Sequence, residues 1–144
     1  MIYIAHRGNI DGPSLNENYP PHLDNALSKG YHVEVDIWYM DDRFFSGHDR
    51  PVAEVTFDFL KRPDVWCHAK NARALEIMLT NKMVHCFWHE TDYCTLTSKG
   101  IPWIYPGRQL IDGSVCVMPE NGYSGDIKKC YGICSDNIEK FKEE

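Results

Sequence analysis

The run His32-Val33-Glu34-Val35-Asp36-Ile37-Trp38 alternates in character with a period of two, the repeat of a strand whose two faces meet different surroundings. Val33, Val35 and Ile37 point one way, so Glu34 and Asp36 share the opposite face. Two carboxylates on one face repel unless a positive charge lies between them, and a hard divalent ion held by oxygen ligands answers that need. An edge strand turning its charged side to water fits the same pattern.

Other apolar or alternating runs recur along the chain, broken by Gly, Pro, Asn and Asp. Residues 2–5, 65–69, 84–88, 102–105, 114–118 and 131–134 read as strands, with 43–46 as a short extension of the 32–38 strand. Helical signals fall at 21–29, which stops at Gly30, and at 55–61, 72–81 and 137–142. Strand and helix in alternation predict an α/β fold with a parallel sheet. A full (β/α)8 barrel takes about 250 residues, and this chain has 144. The expectation is one domain over residues 1–144: a reduced TIM-type barrel of seven to eight strands, its helices short or missing in the second half.

Charge narrows the partners. Fifteen basic residues against 21 acidic ones leave a net charge of −6, which argues against a basic stripe for nucleic acid. No run approaches the ~18 apolar residues of a membrane span, and the apolar start turns polar at His6-Arg7. Neither an integral-membrane protein nor a signal peptide is expected, and the expected location is cytoplasmic. Six cysteines, with no CxxC among them and four inside strand runs (Cys67, Cys86, Cys116, Cys134), are expected to be reduced and packed as small apolar groups.

The ends of the early strands carry the chemistry. Residues 2–5 lead into His6-Arg7-Gly8; Glu34 and Asp36 follow; Ser46-Gly47-His48-Asp49 is a turn presenting a second histidine; and His68 and Lys70 share a face of the 65–69 run. In parallel α/β sheets ligands bind at the C-terminal strand ends. A metal with Arg and Lys suits a phosphate ester, with one histidine taking a proton and another giving one.

Ile4-Ala5-His6-Arg7-Gly8, Glu17-Asn18 ahead of a helix, Glu34-Val35-Asp36 and Gly47-His48-Asp49 together resemble the glycerophosphodiester phosphodiesterase family. Beyond residue 50 the likeness is thinner, resting on His68-Ala69-Lys70, Trp103 and the run Gly132–Asp136. The resemblance implies a TIM-type barrel that hydrolyses a glycerophosphodiester or a related, lipid-derived phosphodiester with one divalent cation, Mg2+ or Ca2+. It implies that His6 and His48 are the acid/base pair, that Arg7 and Lys70 hold the phosphate, that Glu34 and Asp36 bind the metal, and that Glu17 supports the site.

Two departures stand out. The family's third metal carboxylate falls at His68, so either an imidazole ligates, which would suit Mn2+ or Zn2+ better, or the site keeps an extra water, or Glu17 fills the gap from its loop. The chain is also about 100 residues short of a usual barrel, which leaves no room for the insertion that shapes a glycerol pocket. A phosphate-ester binder without catalysis on the same scaffold is the alternative function. A shortened barrel would leave apolar edge for a second copy to cover, which allows a homodimer. His89, after the 84–88 run, is a candidate rim residue, or else Asp92 caps a helical stretch; His22, His32 and His85 read as surface or loop histidines.

Overall fold

The alternation around Glu34 does make a strand, and the sheet grows outward from it. In the computed structural model, which describes residues 1–142, the order is β1 (Ile2–His6), α1 (Pro20–Ser28), β2 (His32–Met40), β3 (Arg43–Ser46), β4 (Ala53–Val55), α2 (Phe57–Leu60), β5 (Val65–Ala69), α3 (Ala72–Leu79), β6 (His85–Phe87), β7 (Cys94–Leu96), β8 (Pro102–Ile104), β9 (Val115–Val117), β10 (Gly132–Ser135) and α4 (Ile138–Lys142). All ten strands belong to one sheet. Parallel pairs give the order β6-β5-β2-β1-β10-β9-β8. Long β2 takes β1 beside His32–Glu34 and antiparallel β3 beside Ile37–Met40, with β5 beside Val33–Ile37.

The reduced TIM-type barrel is not what forms. The sheet is mixed, because β3, β4 and β7 pair only antiparallel, and four short helices accompany ten strands. No strand ladder joins β6 to β7 or β8 among the described residues. The reason lies in the connections. Parallel neighbours need crossovers of a dozen or more residues, usually helical, and helices stand between strands only as far as β6. After Phe87 the links are turns and 3-10 segments (Pro119–Asn121, Ile127–Lys129), with no α-helix between strands among the described residues. Residues 43–46 are likewise no extension of β2. Asp41 and Asp42, both at positive φ (53° and 59°), reverse the chain as a tight hairpin requires.

The outer edge of β6 is satisfied without a strand. Ser98 donates its N–H to the Cys86 carbonyl at 2.7 Å, its hydroxyl accepts from the Cys86 N–H at 2.9 Å, and that hydroxyl reaches the Val84 carbonyl at 3.2 Å. The backbone groups an edge leaves open are thus paired.

Two cores lie on the two faces. Helices cover the face of Val33, Val35, Ile37, Cys67 and Ala69 with Leu23, Leu60, Met78 and Ile138. The other face curls on itself: Ile4, Trp66, Phe87, Trp103, Val115, Val117 and Cys134, from six strands, form one cluster. Phe87 and Trp103, on strands that do not pair, have ring centroids 4.5 Å apart. At Gly132 a Cβ would sit 2.6 Å from Ile2 Cγ1 and 2.9 Å from its carbonyl oxygen, so only glycine lets β10 lie this close to β1. All six cysteines are free thiols, five of them buried. No helix among the described residues is long and apolar enough to cross a membrane.

Candidate functional site

The curled face turns polar at the C-terminal ends of β1, β2 and β5. Register sets His6 beside Glu34 and Asp36 beside His68. Glu34 and Asp36 are each 1% exposed, and a buried carboxylate must be compensated. The Arg7 backbone N–H donates to Glu34 Oε2 at 3.2 Å, and His6 Nε2 lies 3.8 Å from the same oxygen. The Arg7 guanidinium donates to Glu17 Oε2 at 3.1 Å. Its Nε is 3.2 Å from Asp36 Oδ2, close enough for charge attraction but misaligned for a hydrogen bond.

Asn18 clamps Asp36 from both sides, donating Nδ2–H to Oδ2 at 2.9 Å and accepting the Asp36 N–H at 3.0 Å. Arg7 and Asn18 both sit in the left-handed region (φ 54° and 67°), where non-glycine residues are uncommon. The polar contacts hold both there.

His68 completes a three-atom cluster. One ligand atom each from Glu34, Asp36 and His68 lies within 4.8 Å of the others. His68 Nε2 is 2.7 Å from the His89 carbonyl oxygen. A carbonyl only accepts, so Nε2 carries the proton. In the neutral ring the Nδ1 lone pair then faces Glu34 Oε1 at 3.5 Å and Asp36 Oδ1 at 3.4 Å. Asp36 Oδ1 is buried with no hydrogen-bond partner.

Two carboxylate oxygens, one of them the orphaned Asp36 Oδ1, and an imidazole nitrogen fit a divalent cation; a proton on His68 Nδ1 is the other way to compensate them. Burial alone would raise Glu34, but with that proton in place the contact with His68 and the charges of His6, His68 and Arg7 hold it down at about 2. Burial and the neighbouring Glu34 charge push Asp36 up.

A second network orients His6. Its Nδ1 donates to Asp136 Oδ1 at 2.8 Å, leaving Nε2 toward Glu34. Burial lowers the His6 pKa, but the Asp136 hydrogen bond and the Glu34 charge outweigh it, so it is raised. Fully buried Asn9 donates Nδ2–H to Asp136 Oδ1 at 2.7 Å and to Glu17 Oε1 at 2.8 Å, and its Oδ1 meets His22 Nε2 at 2.9 Å. Glu17 is therefore spent on Arg7 and Asn9, and the cluster forms with His68.

His6, Arg7, Glu17, Glu34, Asp36 and His68 thus meet in one linked network. His48 stands beside it, on an exposed turn with Nδ1 on Asp49 Oδ1 at 2.8 Å. It shares an open cleft of about 450 Å3 with Glu17 and Asn18. Gly47 makes that turn possible: it has φ 148°, and a Cβ there would lie 1.9 Å from the Arg50 carbonyl oxygen. Lys70 follows β5 directly, and among the described residues its ammonium has no hydrogen bond or ion pair.

Sequence reasoning assigned no role to Asn9, and Asp136 entered it only as the end of a late strand. No spacing rule joins residues 130 positions apart. His89 is buried, with Nδ1 on Asp92 Oδ2 at 3.0 Å and Nε2 unpartnered. Asp92 caps no helix: a turn leads to β7. His85 is no surface histidine, being 4% exposed inside β6. The chain matches no family model, and no curated protein or solved structure matches it either.

Proposed function

We propose that the chain is a divalent-metal-dependent phosphodiester hydrolase acting on a glycerophosphodiester or a related ester. One observation carries the reading: buried Glu34 and Asp36 with half-buried His68 form a cluster beside His6, an imidazole oriented by Asp136, at the C-terminal ends of parallel strands. The likeness of four sequence blocks to the glycerophosphodiester phosphodiesterase family supports it. Glu34, Asp36 and His68 hold the cation, which when bound supplies positive charge to the phosphate oxygens.

His6, with its Nδ1 proton committed to Asp136, takes a proton at Nε2 from the attacking hydroxyl or water. His48 returns one to the leaving oxygen, across the cleft it shares with Glu17. Lys70, with its ammonium free, pairs with phosphate. Arg7 holds Glu17 and Asp36 in place and offers what remains of its guanidinium to the ester.

A phosphate-ester binder is the second reading, and one observation favours it: among the described residues the His48 ring is hydrogen-bonded only to Asp49, and it stands outside the buried network. A panel of glycerol, alkyl and aryl phosphodiesters, assayed with the cation varied and with EDTA, separates the two. Metal-dependent turnover that is lost in His6→Ala and in His48→Ala supports the hydrolase. No turnover on any ester, with metal-dependent binding of glycerol phosphate, makes the chain a binder.

A further inference from the structure

We propose that His68 sets the cation class of this site, selecting ions that accept nitrogen, Zn2+ and Mn2+, over Mg2+ and Ca2+. The inference rests on the metal-centre part of the reading above and goes beyond it by assigning the ion.

Three observations carry it. The His89 carbonyl fixes the proton on Nε2, and stacking on Phe87 (centroids 5.0 Å apart, planes at 21°) holds the ring, so Nδ1 is presented to the cluster and cannot swing away. The carboxylate oxygen facing that nitrogen, Asp36 Oδ1, is buried without a hydrogen-bond partner, so the nitrogen and the orphaned oxygen point at common ground. Third, the carboxylates that could complete an all-oxygen shell are engaged elsewhere: Glu17 by Arg7 and Asn9, Asp136 by His6 and Asn9.

Ca2+ takes six to eight oxygens and Mg2+ a near-ideal oxygen octahedron. Two carboxylates and one imidazole instead make a mixed nitrogen–oxygen set, which suits zinc and manganese, with zinc the tighter of the two.

The test is calorimetric titration of the metal-stripped full chain with ZnCl2, MnCl2, MgCl2 and CaCl2 in turn. Binding of Zn2+ and Mn2+ about tenfold or more tighter than Mg2+ and Ca2+ is expected, with zinc first. Electron–nuclear double resonance on the Mn2+-loaded protein should show one nitrogen coupling. His68→Glu should reduce the preference for Zn2+ over Mg2+ by about tenfold or more and remove that coupling. His68→Gln, which carries no ring nitrogen and adds no charge, should remove the coupling as well, and circular dichroism checks that both variants fold.

Equal or tighter binding of Mg2+ or Ca2+ by the wild type, or bound Mn2+ without nitrogen coupling, overturns the proposal. Zinc binding that persists unchanged in Glu34→Ala lies at another site and overturns it too. If no cation binds the wild type, His68 is a protonated counter-ion, and both this inference and the metal-dependent reading fall. If the cations bind in the expected order but no phosphodiester is cleaved, the inference stands and the hydrolase reading falls.

Discussion

The curled face of the sheet carries imidazoles at both ends, in opposite surroundings. At the C-terminal strand ends His6 and His68 lie against Asp136, Glu34 and Asp36, and both pKa values are raised although burial works to lower them. At the N-terminal ends His32 and His85 flank Trp66. The indole N–H donates to His32 Nδ1 at 3.1 Å, and the His85 ring lies 3.9 Å from the indole. Burial lowers both of these pKa values. All four rings are desolvated; at one end carboxylates outweigh that, whereas at the other the Asp64 charge acts on His32 without outweighing burial. Charged and unpaired polar groups are thus concentrated at the proposed site, while the other end packs aromatic rings.

The widest separation between the ends should come from His6. Its replacement by Ala removes the proposed general base and the N–H that Asp136 accepts, so turnover of a cleaved ester should drop about 10²–10⁴-fold, with a smaller change in KM. Unfolding in urea should move little by comparison. Wild-type turnover in His6→Ala would break the comparison at the carboxylate-rich end.

The mirror experiment is Trp66→Ala. Trp66 is 1% exposed and touches His32, His85, Trp103 and Tyr131, so its removal should cost about 3–5 kcal/mol of stability. Cation affinity of the fraction that stays folded should hold near the wild-type value. A loss of cation binding without loss of stability would show that the two ends are not separable.

Asn9 tests how far the polar end depends on its outer contacts. Asn9→Ala leaves buried Asp136 and Glu17 each one donor short, a cost of about 1–3 kcal/mol, and frees the carboxylate that orients His6. Equilibrium unfolding should register that cost, and turnover should fall with KM nearly unchanged. Asn9→Asp should be worse, because a third carboxylate then meets two others. An Asn9→Asp chain as stable as the wild type would remove the network from the account.

The part of this contrast that was legible in the sequence is the part carried by local period. Alternation over residues 32–38 placed Glu34 and Asp36 on one face, and the same period placed His68 opposite Asp36 once β5 paired in register. Strands β4 and β7 were not legible: unlike the equally short β6, β8 and β9 they are mostly not buried and lie in no apolar run, and β4 abuts α2 closely enough to be read with it. The hairpin at Asp41-Asp42 lacks the glycine that usually signals two left-handed residues. The expected barrel failed for a related reason: seven to eight strands were expected where ten form, and the missed β4 and β7 and the hairpin strand β3 are the ones that pair antiparallel and make the sheet mixed. His85 was misplaced because nothing local distinguishes a buried histidine from an exposed one; Trp66 and Thr97 reach it only through the fold.

That histidine gives the smallest and most specific test. Burial, with the charges of Lys99 and His32 adding to it, pushes His85 down to about 4, while an unfolded histidine titrates near 6.5. On acidification the unfolded chain therefore binds this proton first. The stabilisation from neutral His85 is fully present above about pH 6.5 and is lost as pH falls toward about 4. Carboxylates also weaken the fold in acid, so the slope must be read as a difference. His85→Gln keeps a partner for the Thr97 hydroxyl, which lies 2.7 Å from Nε2, but does not titrate. Urea midpoints of the two chains should be compared at several values between about pH 7 and about pH 4.5. The wild type should lose ground to His85→Gln as the pH falls. Parallel curves would mean that the nearby Trp66 ring stabilises the imidazolium enough to cancel the burial penalty, and the two ends of the face would then differ less than their neighbours imply.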